Sequence, residues 1–440
     1  MNELNFTLTT GVDRTLFWEG GDSVRYLVAR LNAAKNDGAS VTKRPPLNIA
    51  LVIDASGSMG GGKLAAAKMA AIGLVERLSA DDRISVVSFA VDVVVHIDGM
   101  AAAPDNLPRI RSEISSIDTR GMTFLSGGYF AGVECAASVV ADDPTMAPRV
   151  LLLSDGHANH GLTDADELFE HVGQLRQRGV LTSTLGIGDG YDEHLLRGMA
   201  EHGGGRLHDA ELTEEITSVL HGELDDITLT VIEDAKLHLT FPDSVQVDLL
   251  GTLPHVVQGN SAEVVLGPVQ NGVERVVVFK VTCPLADIFS QQLDFTITAN
   301  GQNVETGEAL SVGPNHVTLT AASGAENNAQ SRDDALATIV ARIWSAHIIA
   351  TAARFNRDAA YREAEEFAAE QVHHFGRYVR DLEGAEDMVR ELRMLAGRVG
   401  RRMSSRSTKE MYLHSSRVSS SRMDRRGEKP SWRERLNDDR

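Results

Sequence analysis

The sequence is poor in cysteine and has no excess of basic charge. Its 440 residues include two cysteines, Cys135 and Cys283, which lie far apart along the chain. Two isolated cysteines exclude a disulfide framework or a cysteine-based metal site, so we expect two buried, reduced thiols. The formal net charge is −19, and a chain this acidic repels the polyanionic surfaces of nucleic acids and acidic membranes. We therefore expect no nucleic-acid partner.

Targeting and membrane-spanning patterns are also missing. Residues 1–6 show no basic segment followed by an apolar one, so no signal peptide is predicted. No apolar stretch approaches the roughly 20 residues that a membrane-spanning helix needs. We expect a cytoplasmic protein without a membrane partner.

What the chain does contain is a hydrophobic period that changes along its length. Residues 1–46 alternate apolar and polar side chains and are predicted to form β-strands. Residues 47–224 alternate short, nearly continuous apolar strands with helical runs, which is typical of a mostly parallel sheet covered by helices on both faces. Residues 225–322 return to strict alternation and are predicted to form an antiparallel β-sandwich.

The N-terminal strands are too short to fold alone. We infer that residues 1–46 complete the sandwich of residues 225–322, with the α/β domain inserted between the two parts. The predicted fold class is therefore α/β: a Rossmann-like domain inserted in an all-β sandwich and followed by an α-helical C-terminal region.

The C-terminal region divides into two segments. Residues 331–402 carry apolar stripes at helical spacing and are predicted to form a helical hairpin or bundle. Residues 403–440 are rich in serine and arginine and lack such a stripe. From residue 398 onward there are 13 Lys and Arg against 6 Asp and Glu. We predict a disordered, basic tail over residues 403–440.

A candidate metal site begins at the end of a predicted buried strand. Asp54 ends that strand, and Ser56 and Ser58 follow at alternate positions. In an open α/β sheet, ligands bind at the carboxyl ends of the strands, so these oxygens stand where a site is expected. Taken alone, the Asp-x-Ser-x-Ser pattern also fits a turn that caps the helix beginning near Lys63.

Two further segments strengthen the metal interpretation. Asp155 ends a second buried strand, and Thr123 lies in a glycine-flanked loop just before a helix. Three loops at one sheet edge thus supply two carboxylates and three hydroxyls. Because the set contains hard oxygen donors and no His or Cys, Mg²⁺ fits best, with Mn²⁺ or Ca²⁺ as substitutes. The candidate ligands are Asp54, Ser56, Ser58, Thr123 and Asp155.

Together these five residues resemble the metal-ion-dependent adhesion site of the von Willebrand factor type A domain family. The resemblance covers roughly residues 47–222 and includes residues 185–200. It implies that Ser56 and Ser58 ligate the cation directly. It also implies that Thr123 contacts the metal in the ligand-bound arrangement. The two carboxylates, Asp54 and Asp155, are implied to act through bound water.

The resemblance implies binding to another protein. One coordination position would stay open, and the Asp or Glu carboxylate of a partner would fill it. We therefore expect a non-enzymatic, Mg²⁺-dependent protein-binding adaptor or scaffold. Bacterial intracellular proteins of this family often work beside AAA+ ATPases or kinase–phosphatase pairs, so a regulatory subunit in such a system is an alternative.

Two enzymatic interpretations compete with this one. Residues 57–63 fit the Gly-x-x-x-x-Gly-Lys part of a nucleotide-binding P-loop, but Leu64 stands where Ser or Thr would hold Mg²⁺. Because the match is partial, a P-loop-like nucleotide-binding protein is the alternative and not the main prediction. A hydrolase could use Ser56 or Ser58 with Asp155 and His157, but the Gly-x-Ser-x-Gly elbow is missing. We expect His157 to be a surface residue or a partner contact.

Overall fold

The computed structural model describes residues 4–35, 46–142, 146–155, 160–188, 190–210, 213–287 and 291–419. The strands are β1 (Leu4–Val12), β2 (Leu16–Trp18), β3 (Ser23–Lys35), β4 (Leu47–Asp54), β5 (Arg83–Phe89), β6 (Val93–Ala101), β7 (Ala147–Ser154), β8 (Leu181–Ile187), β9 (Gly204–Ala210), β10 (Thr230–Thr240), β11 (Gln246–Leu250), β12 (His255–Gln258), β13 (Ser261–Gln270), β14 (Arg275–Cys283), β15 (Gln292–Asn303) and β16 (Ala309–Ala322). The helices are α1 (Lys63–Val75), α2 (Leu107–Ser115), α3 (Leu125–Asp142), α4 (Ala165–Gln177), α5 (Glu193–His202), α6 (Thr213–Leu229), α7 (Gly324–Ala329), α8 (Asp334–Arg357), α9 (Tyr361–Tyr378), α10 (Glu386–Ala396) and α11 (Ser405–Ser419).

The chain forms two compact units. One is continuous in sequence, from Ser40 to Thr230, and the other combines residues 1–39 with residues 231–440. The continuous unit is thus inserted in the discontinuous one. The predicted fold class, an α/β domain inserted in an all-β sandwich, is confirmed.

The inserted unit is built on one six-stranded sheet with the order β6-β5-β4-β7-β8-β9. All neighbouring strands are parallel except β5 and β6. All eight residues of the central strand β4 are buried. Leu51 and Ile53 pack in a core with α1 and α6, whereas Ala50 and Val52 pack on the other face with α3 and α4. Burial on both faces explains why this strand reads as a continuous apolar run.

The second unit contains two facing antiparallel-rich sheets, with the orders β1-β3-β14-β11 and β12-β13-β10-β15-β16-β2. Their inner faces form one core, to which the alternating residues Leu237, Leu239 and Phe295 contribute. The N-terminal strands therefore complete the sandwich: β3 pairs with β14, and β2 pairs with β16.

The outer face of the β3 and β14 sheet is covered by the C-terminal helices. Tyr26 and Val28 of β3, with Val276 and Val278 of β14, pack in one core with α8, α9 and α10. Both faces of these two strands are consequently buried. Among the described helices, α8 is long and apolar enough to cross a membrane by length and composition, contrary to the sequence expectation, and 61% of that stretch is buried inside the protein.

The predicted disordered tail is wrong for its first part. Ser405–Ser419 form α11, which packs against α8. Ser407, Met411 and Ser415 are buried at a spacing of four residues. This face is made of small polar side chains around one methionine, so a search for apolar stripes does not detect it. Residues 420–440 lie outside the described residues.

Candidate metal centre

The first loop of the candidate site follows β4 and is fixed by a local hydrogen bond and by a buried side chain. Asp54, at the end of β4, accepts a hydrogen bond on Oδ1 from the backbone N–H of Ser56 at 2.8 Å, a local turn typical of aspartate. Met59, in the short 3₁₀ turn that follows, is buried in the core. Gly62, the residue before α1, has a φ of 103°, a left-handed conformation that glycine adopts readily. These contacts place the hydroxyl-bearing residues at the sheet edge.

The second loop is bound to the first through the backbone. The N–H of Arg120 donates to the carbonyl of Ala55 at 2.6 Å, and the N–H of Gly57 donates to the carbonyl of Gly121 at 2.9 Å. Thr123, two residues further on, is buried. The structure therefore brings the loop of Thr123 against the Asp-x-Ser-x-Ser loop.

The third loop is positioned by strand register. In the parallel pair β4–β7, Ile53 lies opposite Leu153. Asp54 and Ser154 are thus neighbours, and the Ser154 hydroxyl donates to Asp54 Oδ2 at 2.5 Å. Asp155 follows directly and is also buried. The second carboxylate therefore comes to the same sheet edge as the first.

Three of the candidate oxygens form a continuous chain. The Oγ atoms of Ser56 and Ser58 are 3.0 Å apart, and Ser58 Oγ donates to Asp155 Oδ1 at 2.9 Å. Octahedral Mg²⁺ holds its ligands at about 2.0–2.1 Å, which puts adjacent ligand oxygens about 3 Å apart. The spacings are those of ordinary hydrogen bonds, and the donor chemistry fits a hard divalent cation.

The electrostatics of Asp54 point the same way. Burial raises the pKa of this carboxyl, the hydrogen bonds from Ser154 and Ser56 lower it in part, and the charge of Asp155 raises it again. Among the described residues, the groups that favour its ionised form are thus neutral donors. A divalent cation between the two carboxylates would supply the missing positive charge.

Comparison with known proteins identifies this part of the chain. Residues 48–220 match the von Willebrand factor type A domain family. The chain contains a type A domain. Domains of this family generally mediate protein–protein interactions and commonly bind a divalent metal.

Proteins similar to this part of the chain occur in organisms as different as a Synechocystis species and Mesocricetus auratus. An uncharacterised protein from Synechocystis sp. is 32% identical over 260 residues, which cover 57% of this chain and 60% of that protein. Inter-alpha-trypsin inhibitor heavy chain H3 from Mesocricetus auratus is 25% identical over 225 residues, which cover 50% of this chain and 25% of that one. The matches thus span less than two thirds of either relative's length.

A solved structure shares the fold over most of the chain. A von Willebrand factor type A protein from Catenulispora acidiphila superposes with a TM-score of 0.64 at 16% identity, covering 89% of this chain and 90% of that chain. This likeness extends well beyond the type A domain. At such low identity it shows a common fold.

Two residues at the site were not assigned a role from the sequence. Ser154, the residue before Asp155, is a donor to Asp54 because of the β4–β7 register. Lys63 was considered only as a P-loop lysine, yet its ammonium lies 3.0 Å from Asp155 Oδ2. Leu64, at the position where a P-loop needs a hydroxyl, is buried in the core.

The histidines near the third loop give no catalytic arrangement among the described residues. His157 lies outside them. His160 is exposed, with its ring against that of Phe124 at 4.9 Å between centroids. The described residues also contain no cluster of three or more His, Cys, Asp and Glu suited to a metal.

Proposed function

We propose that this chain is a non-enzymatic protein-binding adaptor or scaffold whose type A domain uses a divalent cation to bind an acidic residue of a partner protein. Mg²⁺ is the cation we assign, with Mn²⁺ and Ca²⁺ as substitutes. The residues that would hold it are Asp54, Ser56, Ser58, Thr123 and Asp155.

One observation carries this proposal: the hydroxyls of Ser56 and Ser58 and the carboxylate of Asp155 stand in a chain with 2.9 to 3.0 Å between neighbouring oxygens. These hydrogen bonds hold three oxygens with further lone pairs next to one another. The oxygens come from two loops that the hydrogen bond of Ser58 to Asp155 joins, so little rearrangement is needed to gather them around a cation.

The mixture of ligands favours binding over catalysis. Three of the five donors are neutral, so a bound Mg²⁺ would keep net positive character and attract an external carboxylate. In the described part of the chain, the hydroxyls of Ser56 and Ser58 are hydrogen-bonded to each other and to Asp155, not to an imidazole that could act as a base.

The surroundings of the site support a protein partner. Val91 is 54% exposed and Met122 is 49% exposed. Val91 lies over the backbone of Gly121, where an added Cβ would come within 3.5 Å of it, so the two apolar side chains flank the loop of Thr123. Apolar groups beside a carboxylate-binding point suit a folded partner better than a small anion. The net charge of −19 continues to argue against nucleic acid or an acidic membrane as the partner.

The test measures the cation and the partner separately. Calorimetric titration of the full chain with Mg²⁺ should show saturable binding, which Ser58→Ala weakens. Ser138→Ala is the matched control, because its hydroxyl lies on α3 and donates to the Cys135 carbonyl. Affinity capture from a cell extract should then retain a partner in Mg²⁺ and release it in EDTA. Absence of saturable Mg²⁺ binding, or capture that is indifferent to EDTA, would refute the proposal.

A further inference from the structure

The side chain of Lys63, the lysine of the P-loop-like motif, reaches the candidate metal centre. Its ammonium donates to Asp155 Oδ2 at 3.0 Å, while Ser58 donates to the other oxygen, Oδ1, at 2.9 Å. The two oxygens of one carboxylate therefore face different groups. One oxygen belongs to the hydroxyl chain, and the other carries an internal cation.

The position of Lys63 in the fold is electrostatically unfavourable without that carboxylate. It is the first residue of α1, where the helix dipole places positive charge, and the first turn of α1 contains no acidic residue. A cation at this position needs an anion close by. Asp155, whose side chain is only 3% exposed against 35% for Lys63, supplies it.

The path of the lysine stem is also restricted. Gly188 follows β8 with a φ of 78°, and a Cβ added there would lie 3.1 Å from Lys63 Cε. The stem thus passes close over the glycine backbone on its way to the carboxylate. A side chain at Gly188 would displace it, so the fold leaves room for Lys63 to reach Asp155.

We propose that Lys63 is the resident counter-ion of this site and sets its affinity for a divalent cation. The inference rests on the proposed function. In the metal-free domain the ammonium neutralises Asp155. A bound Mg²⁺ must share that carboxylate with the ammonium or displace it, and either process weakens cation binding because like charges repel at short range. The lysine therefore stabilises the metal-free domain and keeps the site from holding its cation too tightly.

The test removes the charge of Lys63 and leaves its length. Lys63→Met should bind Mg²⁺ on the order of tenfold more tightly than the unmodified chain in calorimetric titration. Lys63→Arg, which keeps the positive charge, should stay within about threefold of the unmodified chain. In EDTA, Lys63→Met should have the lower melting temperature, and saturating Mg²⁺ should abolish that difference.

Lys68→Met is the matched control. Lys68 lies on the same helix and is half-buried like Lys63, but its ammonium donates to the neutral carbonyl of Ile117 at 2.7 Å. It should leave Mg²⁺ affinity unchanged, which separates a local effect at Asp155 from a loss of net positive charge on α1.

The outcomes separate this inference from the proposed function. If the unmodified chain binds Mg²⁺ and Lys63→Met binds it equally or less tightly, Lys63 is not a competing counter-ion and the proposed function stands. If only Lys63→Met binds Mg²⁺, the lysine blocks the site, and the inference holds while Mg²⁺-dependent binding by the natural chain fails. If neither binds, both are refuted.

Discussion

Among the buried carboxylates of the inserted unit, Asp54 and Glu223 are treated by the fold in opposite ways. Asp54 receives hydrogen bonds from the hydroxyl of Ser154 and the backbone of Ser56, and burial raises its pKa. Glu223 of α6 accepts from the Ser183 hydroxyl at 2.6 Å and lies 2.7 Å from Nε2 of His208. Both acids are enclosed, and both have hydroxyl donors. They differ in the positive charge that this chain provides.

That difference decides the direction of each pKa. Burial acts to raise the pKa of Glu223, but His208, Arg206 and the Ser183 hydroxyl hold it well below its usual range. Glu223 is thus satisfied from within the chain and serves to join α6 to β8 and β9. Asp54 has neutral donors and a second carboxylate nearby, which leaves room for an external cation.

A raised pKa alone does not mark a metal site. Burial also raises the pKa of Asp13 in the second unit, although Arg14 and Arg25 act to lower it. Asp13 accepts a hydrogen bond from the backbone N–H of Tyr26 at 2.8 Å. Within the described residues it has no row of linked serine hydroxyls beside it like that of Ser56 and Ser58. The second carboxylate and the aligned hydroxyls are therefore what distinguish Asp54.

The largest expected effect follows from removing Asp54. Asp54→Ala should weaken Mg²⁺ binding at least 100-fold in calorimetric titration, because one of two carboxylates is lost. Retention of natural Mg²⁺ affinity by this variant would remove the contrast between the two acids.

Glu223→Gln should lower the stability of the fold and leave the metal site unaffected. We expect a loss of about 3 kcal/mol in the free energy of unfolding, because the change removes the charge of a buried carboxylate that His208, Arg206 and the Ser183 hydroxyl stabilise. Mg²⁺ affinity should not change. Urea unfolding and calorimetric titration of the same sample measure both quantities, and a selective loss of Mg²⁺ affinity would contradict the structural role of Glu223.

The contribution of Glu223 should also depend on pH in a defined direction. Its pKa in the folded chain is held below the unfolded value of about 4.3. The stabilisation is therefore fully present above that unfolded value and disappears as the pH falls through the lower folded value. The difference in unfolding free energy between the natural chain and Glu223→Gln should not shrink as the pH is lowered from 7 to about 5. A difference that already shrinks in that interval would argue against a lowered pKa.

The smallest effects come from the paired hydroxyls. Ser154→Ala and Ser183→Ala each remove one donor to a buried carboxylate, and each should cost about 1–2 kcal/mol in urea unfolding without metal. Only Ser154→Ala should alter Mg²⁺ affinity, by a few-fold, because Ser154 orients Asp54. Equal effects of both variants on Mg²⁺ binding would mean that the two acids are not independent.

Much of the architecture could be read from local pattern. The continuous apolar run of residues 47–54 and the strict alternation around Leu237 predicted two kinds of sheet, because strand burial is written in neighbouring residues. The same patterns did not predict the α11 helix. Its described buried residues are polar except Met411, and packing on α8 stabilises the helix.

The sequence by itself determined which chemistry was present. Four of the five oxygen-bearing residues lie at or just after the ends of two apolar strands, and the fifth lies in a glycine-flanked loop. Tertiary structure alone decided what those donors meet. Ser154 reaches Asp54 across 100 residues of sequence, and Lys63 reaches Asp155 across 92. Such pairings depend on strand register and side-chain direction, which no short-range pattern records. The oxygen-bearing residues could therefore be named from the sequence, but the ion pair of Lys63 with Asp155 could not.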